Sequence, residues 1–80
     1  METLKGQIDF DVLVNSAKVV IIDISAEWCG PCQAMLPILE EFSQDVSGKM
    51  NVGKVNVDEC PEIAAQFRIM SIPTLMIFKD

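Results

Sequence analysis

Two thiols three residues apart, Cys29 and Cys32 in Trp28-Cys29-Gly30-Pro31-Cys32, are the residues of this chain best suited to chemistry. A pair this close staples almost nothing, because the loop it closes is very short. Its value lies in exchange, where one thiol attacks a disulfide and the second resolves the mixed disulfide. The pair sits where a buried strand should give way to a helix. A helix N-terminus offers unpaired N–H groups and partial positive charge, which favours a thiolate at Cys29 at neutral pH. Cys32, one turn later on the apolar side, should be the more buried partner. A structural or metal-binding pair is the other reading. Three cysteines and no histidine in the chain leave a tetrahedral zinc site one ligand short, unless a second chain supplies ligands.

The elements that must position this pair emerge from periodicity. Residues 8–16 space Phe10, Leu13, Val14 and Ala17 as a short amphipathic helix. Residues 18–25 form a nearly all-apolar, β-branched run, the pattern of a strand buried on both faces. After Cys32, the residues Met35, Leu36, Leu39, Phe42 and Val46 share one helical face, with Pro37 expected to kink it and Ser47-Gly48-Lys49 to stop it. Residues 50–57 read as a second strand, Asp58 to Glu62 as a helix start with Pro61 early, and residues 74–78 as a third strand. A short strand is expected at residues 2–4. Alternating helices and strands point to an α/β sandwich with its first main strands parallel, in one domain covering residues 1–80.

Composition narrows the classes. Half of the 80 residues are apolar, which argues for a packed core. The net charge is −6, from six basic and twelve acidic side chains, with no run of Lys or Arg, so no nucleic-acid partner is expected. The longest apolar run, Val19 to Ile22, is far too short for a bilayer, and Met1 to Gly6 lacks the pattern of a signal peptide. No membrane association and a cytoplasmic location are therefore expected.

The segment Ala26-Glu27-Trp28-Cys29-Gly30-Pro31-Cys32, with Pro37 beyond it, resembles the active-site segment of thioredoxins. The likeness extends to Asp23, Lys54 and Ser71-Ile72-Pro73-Thr74, and it covers nearly the whole chain. It implies a central mixed β-sheet flanked by helices, and it implies protein-disulfide reduction by Cys29 and Cys32. No cofactor beyond the redox-active Cys29–Cys32 disulfide is implied. Disulfide-containing proteins would be the substrates and a flavin-dependent thioredoxin reductase the electron donor. Gly30-Pro31 between the cysteines looks like the reducing branch of the superfamily.

Each supporting residue has a plainer reading beside the one the resemblance implies. Asp23 is either a strand-end carboxylate in water or a buried one of raised pKa; the resemblance implies the buried form, exchanging a proton with Cys32. Lys54 is either a surface lysine or the ammonium that tunes Asp23. Trp28 either fills core or flanks a substrate groove shared with Gly30, Pro31, Ile72 and Pro73, as the resemblance implies. The Ile72–Pro73 bond is expected to be trans from residue type alone, and cis from the resemblance. Cys60 is expected to be semi-buried and idle, with acidification by its helix start as the alternative.

Thioredoxins usually continue beyond the counterpart of Phe78-Lys79 through a hairpin into another strand and a final helix. The chain is accordingly expected to be a C-terminally truncated form, with residues 74–78 left as an exposed apolar edge. A dimer through that strand is one way to cover it. The rival function is a shortened binding or assembly module without turnover.

Overall fold

The computed structural model describes all residues, 1–80. A four-stranded sheet has the order β1-β3-β2-β4, built from β1 (Glu2–Thr3), β2 (Val19–Ser25), β3 (Asn51–Asn56) and β4 (Thr74–Lys79). β3 runs parallel to both β1 and β2, whereas β4 is antiparallel to β2. The sheet is therefore mixed. Three helices connect the strands: α1 (Gln7–Val14), α2 (Gly30–Asp45) and α3 (Pro61–Gln66).

The connection through α1 carries the chain from β1 past β3 to β2, and that through α2 carries it back to β3. Crossovers of one hand that travel in opposite directions lie on opposite faces of the sheet. The core agrees with that division. Val20, Ile22 and Ile24 of β2 pack in one cluster with Phe10 and Leu13 of α1 and Ile63 of α3. Phe10, Phe67 and Phe78 close this side, with ring centroids 5.5–5.7 Å apart. Alternation along β2 sends Ile21, Asp23 and Ser25 to the other face, beneath α2. β2 is thus hydrogen-bonded on both edges and covered on both sides, as its nearly all-apolar sequence requires.

Two close approaches shape the packing. A Cβ on Gly53 of β3 would collide with the Leu13 side chain of α1 and meet Ile22, so only glycine lets α1 sit this near the sheet. At the end of α3, Arg68 N–H bonds Ala65 C=O and Ile69 N–H bonds Ala64 C=O. This paired closure puts Arg68 in the left-handed region, at φ 53°, where glycine is the usual occupant.

α2 remains helical through Pro37 to Asp45, and the chain then turns at Gly48, φ 87°. β4 forms one edge of the sheet, and its Leu75 and Ile77 are exposed. No helix is long and apolar enough to cross a membrane.

Candidate active site

β2 ends at Ser25, and a turn closed by Cys29 N–H on Ala26 C=O delivers the chain into α2. Cys29 is the N-cap of that helix, with extended backbone at φ −88° and ψ 106°. Gly30 and Pro31 occupy the first two helical positions, and Pro31 has no N–H to offer. The Cys32 N–H, at the third position, points at the Cys29 sulfur and donates to Sγ at 3.2 Å. Where most helices place a serine or aspartate oxygen, this one places a sulfur.

Cys29 and Cys32 are joined in a disulfide, with Cα atoms 5.2 Å apart. Both are buried, Cys32 slightly the deeper, in a small cluster with Ala26 bordered by Val57 and Ile72. Reduction of this bond would free a thiolate at Cys29 already facing an N–H donor and the positive end of α2. Gly30 and Pro31 stay exposed beside it.

Asp23 is 1% exposed, and its Oδ1 has no hydrogen-bond partner. Burial pushes its carboxyl above the ordinary value of 3.8, while the nearby Lys54 ammonium pulls the other way. The register explains that proximity, since Lys54 of β3 stands directly opposite Asp23 of β2. Between the two readings of Asp23, the structure selects the buried one. A polar recess of about 90 Å³ opens on the same region, bordered by Ser25, Gln33, Lys54 and Asn56. Gln33 crosses it to donate from Nε2 to Ala26 C=O at 3.0 Å.

Trp28 is 69% exposed and so does not fill the core. Its indole Nε1 donates to Asp58 Oδ2 at 2.8 Å. The loop carrying Asp58 is in turn held by the Asn56 side chain, whose Oδ1 accepts from the N–H groups of Asp58 and Glu59. On the far side, the Ile72–Pro73 bond is cis, and Thr74 Oγ1 donates to Ser71 C=O at 2.6 Å. Between Trp28 and Ile72 lies an apolar depression of about 370 Å³, walled also by Val57, Ala64, Ile69 and Met70.

Sequence reasoning missed Asp58, Gln33 and Met70. Asp58 carries a helix-start signal, and nothing local shows that it would meet an indole thirty positions away. Cys60 lies deeper than expected. It is fully buried, with its thiol directed at Leu4 C=O. Burial, followed by the charges of Glu62, Glu59 and Asp9, raises its pKa, which corrects the alternative of an acidified thiol. No group of three or more His, Cys, Asp and Glu side chains is arranged to hold a metal ion.

Comparison with known proteins places this geometry. The family model described as thioredoxin matches residues 2–80. The chain is 51% identical over 71 residues to a thioredoxin of Alicyclobacillus acidocaldarius, covering 89% of this chain and 68% of that protein. It is 50% identical over 72 residues to a thioredoxin of Staphylococcus aureus, covering 90% and 68%. Among solved structures, Plasmodium falciparum thioredoxin superposes with a TM-score of 0.93 at 38% identity, over 99% of this chain and 76% of that one. The oxidised form of mitochondrial thioredoxin 3 from Saccharomyces cerevisiae gives 0.90 at 32% identity, over 100% and 74%. With a disulfide capping the helix that succeeds the central strand, the chain belongs to the thioredoxin family and is a protein dithiol–disulfide oxidoreductase.

Proposed function

We propose that the chain works in the reducing direction, with a distinct role for each residue of the site. The Cys29 thiolate attacks one sulfur of a substrate disulfide, forming a mixed disulfide and releasing the first substrate thiolate. Cys32 gives its proton to Asp23 and attacks Cys29 Sγ, which releases the second substrate sulfur as a thiolate and leaves the Cys29–Cys32 disulfide. Asp23 suits this role because a buried carboxylate with an unpartnered oxygen gains by accepting a proton. Lys54, opposite it in the register, limits how far that affinity for protons rises. The polar recess bordered by Lys54, the register partner of Asp23, offers a route for the proton back to water.

Trp28, Gly30, Pro31, Ile72 and Pro73 bind the substrate. The exposed indole and the depression beside it take the apolar side chains that flank a substrate cystine. The backbone of Ile72 pairs with an extended segment of the substrate in the manner of an added strand. The cysteines themselves carry the two electrons, and a thioredoxin reductase supplies them. The site of action is the cytoplasm. The exposed edge of β4, with Leu75 and Ile77 on it, is the surface through which two copies would pair.

The observation that carries this reading is the Cys32 N–H on Cys29 Sγ at the start of α2. The test is reduction of insulin by the purified chain with excess dithiol, alongside Cys29→Ser. Turnover that disappears in the variant supports the reading. Equal rates with both proteins, or none with either, overturn it.

A further inference from the structure

Met70 lies in the segment between α3 and the cis Ile72–Pro73 bond, and it is 94% exposed. The chain has five methionines, and the other four, Met1, Met35, Met50 and Met76, are all half-buried. Met70 also borders the apolar depression beside Trp28. Exposure decides which thioether an oxidant reaches, and position decides the consequence for function.

We propose that Met70 is a site of reversible oxidation by peroxides, through which an oxidant weakens the binding of protein substrates. The thioether sulfur attacks one oxygen of the peroxide. The S–O bond forms as the O–O bond breaks, sulfur gives up two electrons, and the departing hydroxide leaves with a proton as water. The product is methionine sulfoxide. In the disulfide form the active-site sulfurs are bonded to each other, and Cys60 is buried. Met70 is therefore the sulfur most open to the reagent.

A sulfoxide replaces an adaptable apolar tip with a strong hydrogen-bond acceptor. The one indole donor of the groove is already committed to Asp58. The walls otherwise offered by Val57, Ala64, Ile69 and Ile72 are apolar, and Ser71 beside Met70 is the one other polar residue of the lining. An oxidised Met70 must turn its oxygen to water or to the Ser71 hydroxyl, and either way it can no longer close over an apolar substrate side chain. The effect falls on KM for large substrates and not on the exchange step, because Met70 is not among the residues packed around the two sulfurs.

This inference rests on the groove binding described above, and the experiment separates the two. The disulfide form is treated with graded hydrogen peroxide, quenched, and mapped by intact mass and peptide sequencing. It is then assayed on insulin and on a small symmetrical disulfide. The first oxygen is expected at Met70. KM for insulin should rise about fivefold, with kcat and the small-disulfide rate changed by less than about twofold. A methionine sulfoxide reductase should restore the original KM. Met70→Leu, compared with its own untreated sample, should not respond to peroxide. A first oxygen on another methionine, or an unchanged KM with Met70 fully oxidised, overturns the proposal. An untreated enzyme inactive on both substrates instead overturns the disulfide-reductase reading, while the mapping still decides the site.

Discussion

Replacing Asp23 with asparagine keeps the shape of a buried side chain and removes its charge. In the native protein Asp23 is 1% exposed, has an unpartnered Oδ1, and titrates above 3.8 because of burial, with Lys54 offsetting part of the shift. The folded state thus holds a proton that the unfolded chain has already released. Wherever the native state binds more protons, stability falls as pH rises. The loss begins near the unfolded carboxylate value and is complete once pH passes the folded one. An amide in the same place is as poorly partnered but carries no charge, so the variant escapes only the cost of burying the ionised form, about 1.4 kcal/mol for each tenfold gain in proton affinity on folding. Asp23→Asn should be more stable than the parent by at least about that amount at neutral pH, which for a domain this size raises Tm by about 5–10 °C or more. Below the unfolded carboxylate value the two proteins should converge. Urea unfolding of both proteins across a pH series measures the difference directly. Turnover should move the other way, because Cys32 loses its proton acceptor. An unassisted thiol with pKa ~8.5 is only a few per cent thiolate at pH 7, so the loss should be about 10- to 50-fold there and shrink towards alkaline pH. A variant less stable than the parent at neutral pH, or a stability difference independent of pH, would refute the reasoning.

Two further substitutions test the packing. Arg68→Gly relieves a left-handed residue at the end of α3, and should raise stability by about 1 kcal/mol, read as a higher urea midpoint at unchanged slope. Gly53→Ala forces a methyl group against Leu13 and should cost about 1–3 kcal/mol by the same measurement.

Much of the framework can be read from residue patterns, because those patterns report burial. The β-branched run of β2 has to lie between two covered faces, and the cysteine pair has to fall where that run ends and a 3.6-residue period begins. The antiparallel β4 is less legible. Alternating helices and strands favour parallel neighbours, and the reversal depends on a helix of only six residues and a loop that bends back through Pro73. The cis geometry of that proline is invisible to residue type, since cis and trans X–Pro bonds differ by only about 0.5–1 kcal/mol. Only the resemblance to thioredoxins implies it. The Trp28–Asp58 bond joins residues far apart in the chain, and local spacing carries no trace of such a contact. Arg68 conceals a left-handed turn because the residue lacks the glycine that would signal it. Cys60 reads as semi-buried because its neighbours are charged. Its burial comes from docking beneath Leu4, at the opposite end of the chain.

β2 is the one strand paired along nearly its whole length on both edges, and it runs directly into the turn that carries Cys29. Its amide hydrogens point alternately to β3 and to β4, so exposing all of them requires both neighbours to give way, whereas β1, with two residues, and α3, with six, can fray alone. The reacting sulfurs are therefore moored to the part of the molecule that opens last. The proposed substrate groove takes one wall, Ala64, from the six-residue α3. On the proposed reading, a rigid anchor beside a groove wall that can yield would let one fixed exchange centre meet disulfides in proteins of different shapes.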